Sequence, residues 1–400
     1  MSNNKKSLEN VLILQGGGSL GAFGCGVYKA LVKNNINVDI LAGTSIGAVN
    51  AAIIAGSRND DDKPEKVLEE FWLELGENFI NLDTFYFSSP SLWSSSFFKN
   101  YYSFLSSNTP IVENYSNLKS LLSFYSSALY GNDAMFLPRW KSNFSANNNS
   151  DFSNPSKWTY LYDNSPLEKT LEKYIDYEKL TPTGKPNGRL IITAVNVLTA
   201  EPLTFDSSKT KITSKHILAS SGYPFYFLPW TEIEKGIYGW DGGLLSNTPL
   251  REVIDASPVN NKQIFLVENY PKNINKLPEN ILDVLHRARD IVFSDKTMHN
   301  IKMSKVITRY LEFIDELYQI IDKNVDKEKL DKEKLRQINL KYKKFKLEHG
   351  AEIKKILYIT REEDHRHHMY ENADFSLATI KDSIKQGEIK TNEALAKLKN

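Results

Sequence analysis

Asn37-Val-Asp-Ile-Leu-Ala-Gly-Thr-Ser-Ile-Gly-Ala-Val-Asn-Ala-Ala-Ile-Ile-Ala55 contains a short apolar run, Asn37 to Ala42, then a glycine-framed turn, Gly43-Thr44-Ser45-Ile46-Gly47, then an Ala-rich helix, Ile46 to Ala55. The turn fits the pattern G-x-S-x-G, in which a serine sits on a strained strand-to-helix turn. Small residues at Gly43 and Gly47 let strand and helix approach closely. The Ser45 hydroxyl then projects at the carboxyl end of the sheet, above the positive N-terminus of the next helix. The preceding stretch has the same order: Val11-Leu-Ile-Leu14 is an apolar strand, Gln15-Gly-Gly-Gly18 a turn, and Ala22 to Val32 a helix. Short strands alternating with helices predict an α/β fold, a mostly parallel central sheet sandwiched by helices.

Downstream, Arg189 to Asn196, Pro202 to Asp206, Ile237 to Trp240 and Gln263 to Glu268 read as further strands of that sheet. Residues 60–165 interrupt the rhythm. They include an aromatic, Ser-rich segment from about Phe85 to Phe104, with Trp93, Phe97 and Phe98, too aromatic for a polar linker. Its rings have to be buried in the core, on a partner or at a bilayer interface, so the segment is expected to act as an insertion or lid. After Pro278 the chain is mainly helical: Ile281 to Asp322 is apolar-periodic, Asn324 to Lys346 is highly charged, and Thr379 to Leu398 is a last helix. Ile356 to Thr360 reads as one edge strand. The expected organisation is a first domain over 10–275 and a mainly helical C-terminal domain over 276–400.

Composition sets outer bounds. The 400 residues are 41% hydrophobic and 25% charged, enough to bury a real core and unlike a disordered or collagen-like chain. A net charge of +1 gives no reason to expect a nucleic-acid partner. The lone Cys25 can form neither an internal disulfide nor a thiolate metal site, and suits a reducing compartment. Met1 to Asn10 is polar and leads into only four apolar residues, too few for a secretory signal, and no run approaches the roughly 18 residues of a spanning helix. A cytoplasmic or peripheral membrane location is therefore expected, with any bilayer contact peripheral.

Gly16-Gly17-Gly18-Ser19-Leu20-Gly21 follows the first strand and opens the first helix. Its uncovered backbone N–H groups can converge on an anion, either a pyrophosphate or the oxyanion of a tetrahedral intermediate. The dinucleotide reading wants an acidic residue at the end of the second strand, about 20 residues on. Asp39 is at the right distance, but it lies inside that strand, whose end runs instead into the serine turn. Trp240-Asp241-Gly242-Gly243 presents a carboxylate at a sheet end, with Asn247 and Pro249 forming a second stiff turn. The seven histidines, His216, His286, His299, His349, His365, His367 and His368, lie mostly in the helical or charged C-terminal part, so Asp241 is the better base for Ser45.

In that order, the Gly16 to Gly21 run, the Gly43 to Gly47 turn and Asp241-Gly242-Gly243 resemble the patatin-like phospholipase family. His216 to Pro224 and Asn247-Thr-Pro249 resemble the loops around that family's site, and Asp374 to Ile380 resembles the extra C-terminal domain of some bacterial members. The resemblance implies a serine lipid acyl hydrolase of phospholipase A or lysophospholipase type. Ser45 would be the nucleophile, Asp241 the general base, Gly16, Gly17 and Gly18 the oxyanion hole, and Gly21, Gly43, Gly47, Gly242 and Gly243 the supporting turns. It implies a fatty-acyl ester as substrate, contact with a lipid surface, and no metal or other cofactor. One departure is Leu20, where many members carry Arg or Lys. The other classes to weigh are a nucleotide-binding enzyme using the Gly-rich loop and a non-catalytic interaction protein on the same fold. Head group, chain length and oligomeric state are not encoded in these motifs.

Overall fold

The computed structural model describes residues 7–58, 63–78, 123, 125–142, 157–274, 277–279, 281–294, 297–324, 332–362 and 371–399. The strands are β1 (Leu8–Leu14), β2 (Ile40–Thr44), β3 (Leu137–Pro138), β4 (Tyr162–Asp163), β5 (Arg189–Asn196), β6 (Pro202–Asp206), β7 (Thr231–Glu234), β8 (Ile237–Asp241), β9 (Asn261–Glu268) and β10 (Ile353–Thr360). Between them run α1 (Ala22–Lys33), α2 (Ile46–Ala55), α3 (Pro64–Glu77), α4 (Ser165–Tyr174), α5 (Ser214–Ser221), α6 (Leu250–Ala256), α7 (Ile281–Phe293), α8 (Thr297–Asn324), α9 (Lys332–His349) and α10 (Leu377–Lys399).

Eight strands form one sheet in the order β10-β9-β1-β2-β5-β8-β7, with β6 along the other edge of β5. The ladder from β10 to β5 is parallel, β6 and β8 run antiparallel to β5, and β7 pairs antiparallel with β8. Strand interiors are near-continuous apolar runs because both faces are covered. Alternate residues then enter separate cores. Leu12, Leu14, Leu41, Leu190, Ile192, Phe265 and Val267 pack with α1, α2, α3 and α10. Val11, Ile13, Ile40, Ala42, Ile191, Ile264 and Leu266 pack with Leu250 and Val253 of α6 and Ile301 of α8.

The register along β5 positions the site. Thr44, the last residue of β2, pairs with Thr193, and on the same edge the next residue, Ala194, pairs with Asp241, the last residue of β8. A parallel and an antiparallel strand thus end head to head. The residue after Thr44 meets the carboxylate of Asp241 with no side chain between.

The part of the chain beyond 276 is spread across the molecule. The expected edge strand is present as β10, extended to Ile353, and pairs with β9. Helix α10 packs on α1 at a close crossing. A Cβ on Gly26 would stand 1.8 Å from the Ile384 carbonyl oxygen, and one on Gly387 2.2 Å from that of Phe23. The single periodic stretch expected over Ile281 to Asp322 is two helices, α7 and α8. In the stretch 60–165, Val67, Leu68, Phe71, Trp72 and Leu75 of α3 are core residues. The segment from Phe85 to Phe104 lies outside the described residues.

Candidate active site

Ser45 leaves β2 at φ 58° and ψ −132°, a backbone conformation that side-chain-bearing residues rarely adopt. The turn is possible because its neighbours are glycines. A Cβ on Gly43 would lie 2.2 Å from the Gly47 carbonyl oxygen, and one on Gly47 2.1 Å from that of Leu14. The Ser45 carbonyl accepts from Ala48 N at 2.9 Å, opening α2, and its N–H donates to Ser220 Oγ at 3.1 Å. Below it, Thr44 Oγ1 and Thr193 Oγ1 share a hydrogen bond of 2.7 Å that ties β2 to β5.

Asp241 is 1% exposed. Its carboxylate accepts from Gly243 N at 2.7 Å, and its own N–H donates to the Gly222 carbonyl at 3.1 Å. Burial pushes the carboxyl up to about 7, against the lowering effect of the neighbouring Ser45 hydroxyl and the Gly243 N–H. Gly242 is squeezed against Thr193, where a Cβ would come within 2.7 Å of Oγ1.

The Gly-rich loop lies beside the serine: a Cβ on Gly16 would stand 2.8 Å from Ser45 Cβ. A buried polar network fixes it. Gly16 N donates to Asn247 Oδ1 at 2.9 Å, Gln15 Nε2 donates to Thr248 Oγ1 at 2.9 Å, and Asn269 Nδ2 donates to the carbonyls of Gln15 and Gly16, each at 3.1 Å. The Gly16 N–H, expected in the oxyanion hole, is therefore already engaged. Among the described residues no acceptor takes the N–H of Gly17 or Gly18. Gly21 opens α1 against Ile46, and its carbonyl accepts from Asn50 Nδ2 on α2 at 2.8 Å.

The other candidates fall elsewhere. His216 is buried at the N-terminal end of α5, its Nδ1 accepting from Thr213 N at 3.0 Å, and its ring edge meets Phe205 at 4.5 Å. Burial lowers its pKa. It caps α5, whose opposite end carries Ser220. Asp39 precedes β2 rather than lying within it. It accepts from Asn10 N at 2.7 Å, at the end of the sheet away from the Gly-rich loop. Leu20 is 4% exposed. No three His, Cys, Asp or Glu side chains among the described residues cluster so as to hold a metal ion.

Sequence reasoning missed Gln15, Asn269, Ser220, Arg361 and Glu371. Gln15 adjoins the glycine run and could have been flagged as its last polar neighbour. Glu371 is 352 residues from Ser19, whose Oγ donates to its carbonyl at 2.7 Å, and no local signal connects them.

Ser45 on its strained turn, the buried Asp241 carboxylate and the Gly-rich loop thus lie together at one end of the α/β sheet. The sequence signature of the patatin-like phospholipase family matches residues 12–254, more than half of the chain, and the chain belongs to that family. Over 62 residues the chain is 42% identical to a patatin-like phospholipase domain-containing protein of Coccidioides immitis (strain RS), a match covering 16% of this chain and 8% of that protein. Among solved structures it is similar to VipD from Legionella pneumophila, at 17% identity and a TM-score of 0.36, covering 98% of this chain and 67% of that one. It is also similar to ExoU in its complex with SpcU from the type III secretion system of Pseudomonas aeruginosa. There identity is 15% and the TM-score 0.27, over 70% of this chain and 48% of that one. Neither structural likeness bears on the reading of the site.

Proposed function

We propose that the protein hydrolyses fatty-acyl esters of membrane or micellar lipids, in the manner of a phospholipase A or lysophospholipase, through a Ser45–Asp241 dyad. The observation that carries this reading is the register that ends β2 and β8 side by side on β5, so that Ser45 meets the buried Asp241 carboxylate beside the Gly-rich loop. Asp241 takes the Ser45 proton as the serine oxygen attacks the ester carbonyl, and the Gly17 and Gly18 amides hold the developing oxyanion. The alcohol leaves with that proton. Water then gives its proton to Asp241 and releases the fatty acid from the acyl-enzyme. A carboxylate lifted to about 7 is a stronger base than an exposed one and suits a proton that is taken and returned in each half-reaction.

Contact with a lipid surface is supported by the loops that flank Asp241. Phe225 is 72% exposed, and Phe227 and Leu245 are each 55% exposed. Among the described residues no helix is long and apolar enough to cross a membrane, so such side chains would supply the apolar contact. The deciding experiment is hydrolysis profiled over lipids of different head group and chain length, with the Ser45→Ala protein as control. Ser45-dependent release of fatty acid supports the reading. Equal activity in the control overturns it.

A further inference from the structure

Beneath the Gly-rich loop lies a buried charge cluster that the dyad does not use. Glu371 Oε1 accepts from Arg361 Nη2 at 2.8 Å and from Arg289 Nη2 at 2.9 Å, and stands 3.3 Å from His286 Nε2. Burial opposes its charge, yet Arg361, His286 and Arg289 hold the carboxyl well below the usual carboxylate range.

Arg361, Arg289 and the Glu371 backbone each lead to a different residue of the loop. Arg361 Nε donates to the Asn269 carbonyl at 3.0 Å, and Asn269 holds the carbonyls of Gln15 and Gly16. The Arg289 guanidinium lies 5.4 Å over the Tyr270 ring, whose hydroxyl stands 3.2 Å from where a Gly17 Cβ would be. The Glu371 carbonyl accepts from Ser19 Oγ at 2.7 Å, and the next carbonyl, that of Asn372, lies 2.3 Å from the position of a Gly18 Cβ. Residues 15 to 19 are therefore backed from one point contributed by the far end of the chain.

Resting on the dyad reading above, we propose that Glu371 is a positioning residue for the oxyanion loop: its carboxylate gathers Arg361 and Arg289, and its backbone and that of Asn372 seat Gly18 and Ser19, so that the Gly17 and Gly18 amides point where the oxyanion forms. It touches neither substrate nor nucleophile. Misplaced donors stabilise the tetrahedral intermediate poorly while leaving ground-state binding intact. This role differs from mere support of the fold, because loosening the cluster acts on kcat rather than on KM.

The test uses the full chain and a short p-nitrophenyl ester, a trifluoromethyl ketone that binds serine hydrolases as a tetrahedral oxyanion, and amide hydrogen exchange of the peptide spanning Gln15 to Leu20. Glu371→Gln should lower kcat roughly tenfold with KM within about twofold, and weaken the ketone by a similar factor. Exchange of the loop peptide should rise while exchange in β1 and β9 stays unchanged. Ser19→Ala, which removes a single hydrogen bond and leaves the charge cluster whole, should show the same pattern at smaller size, and it decides the matter if Glu371→Gln does not fold. Wild-type kcat and unchanged loop exchange in the folded variants overturn the proposal. A rise in KM alone also overturns it. If the wild-type protein shows no Ser45-dependent hydrolysis, the dyad reading fails, and the exchange measurement still judges the positioning of the loop.

Discussion

Ser45 holds a backbone conformation of φ 58° and ψ −132°, of a kind that costs on the order of 1–3 kcal/mol and persists only where its surroundings dictate it. Here they do: the Ser220 hydroxyl holds its N–H, α2 begins on its carbonyl, and glycines crowd on either side. Ser45→Ala should abolish ester hydrolysis with little change in melting temperature. Ser45→Gly should abolish it while raising the melting temperature by a few degrees, because glycine accepts the conformation freely. Asp241 makes a separate prediction about pH. Its folded-state pKa of about 7 lies above the ordinary carboxylate value, so between about pH 4 and 7 the folded protein binds more protons than the unfolded chain. The stability that this group contributes is present below that window and is lost as pH rises through it. Activity runs the other way, since the base must be ionised, and kcat/KM should rise through an acid limb near pH 7. Asp241→Asn should therefore remove activity and raise the melting temperature at pH 8 more than at pH 5; an equal or opposite shift would contradict the assigned cause. Combined with Ser45→Ala it should cost no more activity than either change alone, because nucleophile and base act as one unit.

Among the elements, α5 connects His216 to the serine that holds the Ser45 N–H. His216 caps its first turn, and Ser220 near its last turn accepts the N–H of Ser45. His216→Ala should therefore cost about 1 kcal/mol of stability, as loss of a helix cap does, and lower activity about tenfold at most. Loss of activity as complete as in Ser45→Ala, read by ester hydrolysis, would mean a triad instead. The α1–α10 crossing is tighter. Because a Cβ at Gly26 would approach the Ile384 carbonyl to 1.8 Å, Gly26→Ala has to separate two helices that share a core. Overpacking of this kind costs about 1–3 kcal/mol or more, and should appear as a lower urea midpoint. A neutral effect would show that the crossing can slide.

Over the whole molecule, the last fifty residues close the sheet with β10, cover α1 with α10 and bring Glu371 under the Gly-rich loop. The apolar side chains on the loops that flank Asp241 lead to a prediction at the same scale. Replacing Phe225, Phe227 and Leu245 by Ser should impair hydrolysis of vesicle lipid far more than that of a short soluble ester, since these exposed groups bear no core load. Equal loss on both substrates would place them in the acyl pocket instead. The strand and elbow pattern, the mostly parallel sheet and the glycines of the three turns were legible in the sequence. Each depends on local chemistry: short apolar runs that end in glycine turns, and turns that only glycine can flank. The outcome at Gly16 was not legible, because whether an amide is free depends on Asn247, 231 residues away, whose side chain takes it. Nor was the raised pKa of Asp241, which is a property of burial. Glu371 was hidden for the same reason: a glutamate in a polar tail becomes an anchor only when tertiary packing removes water from it and surrounds it with Arg289, Arg361 and His286. Local sequence determined which residues can do chemistry, and long-range packing decided which of their hydrogen-bonding groups are left free to do it.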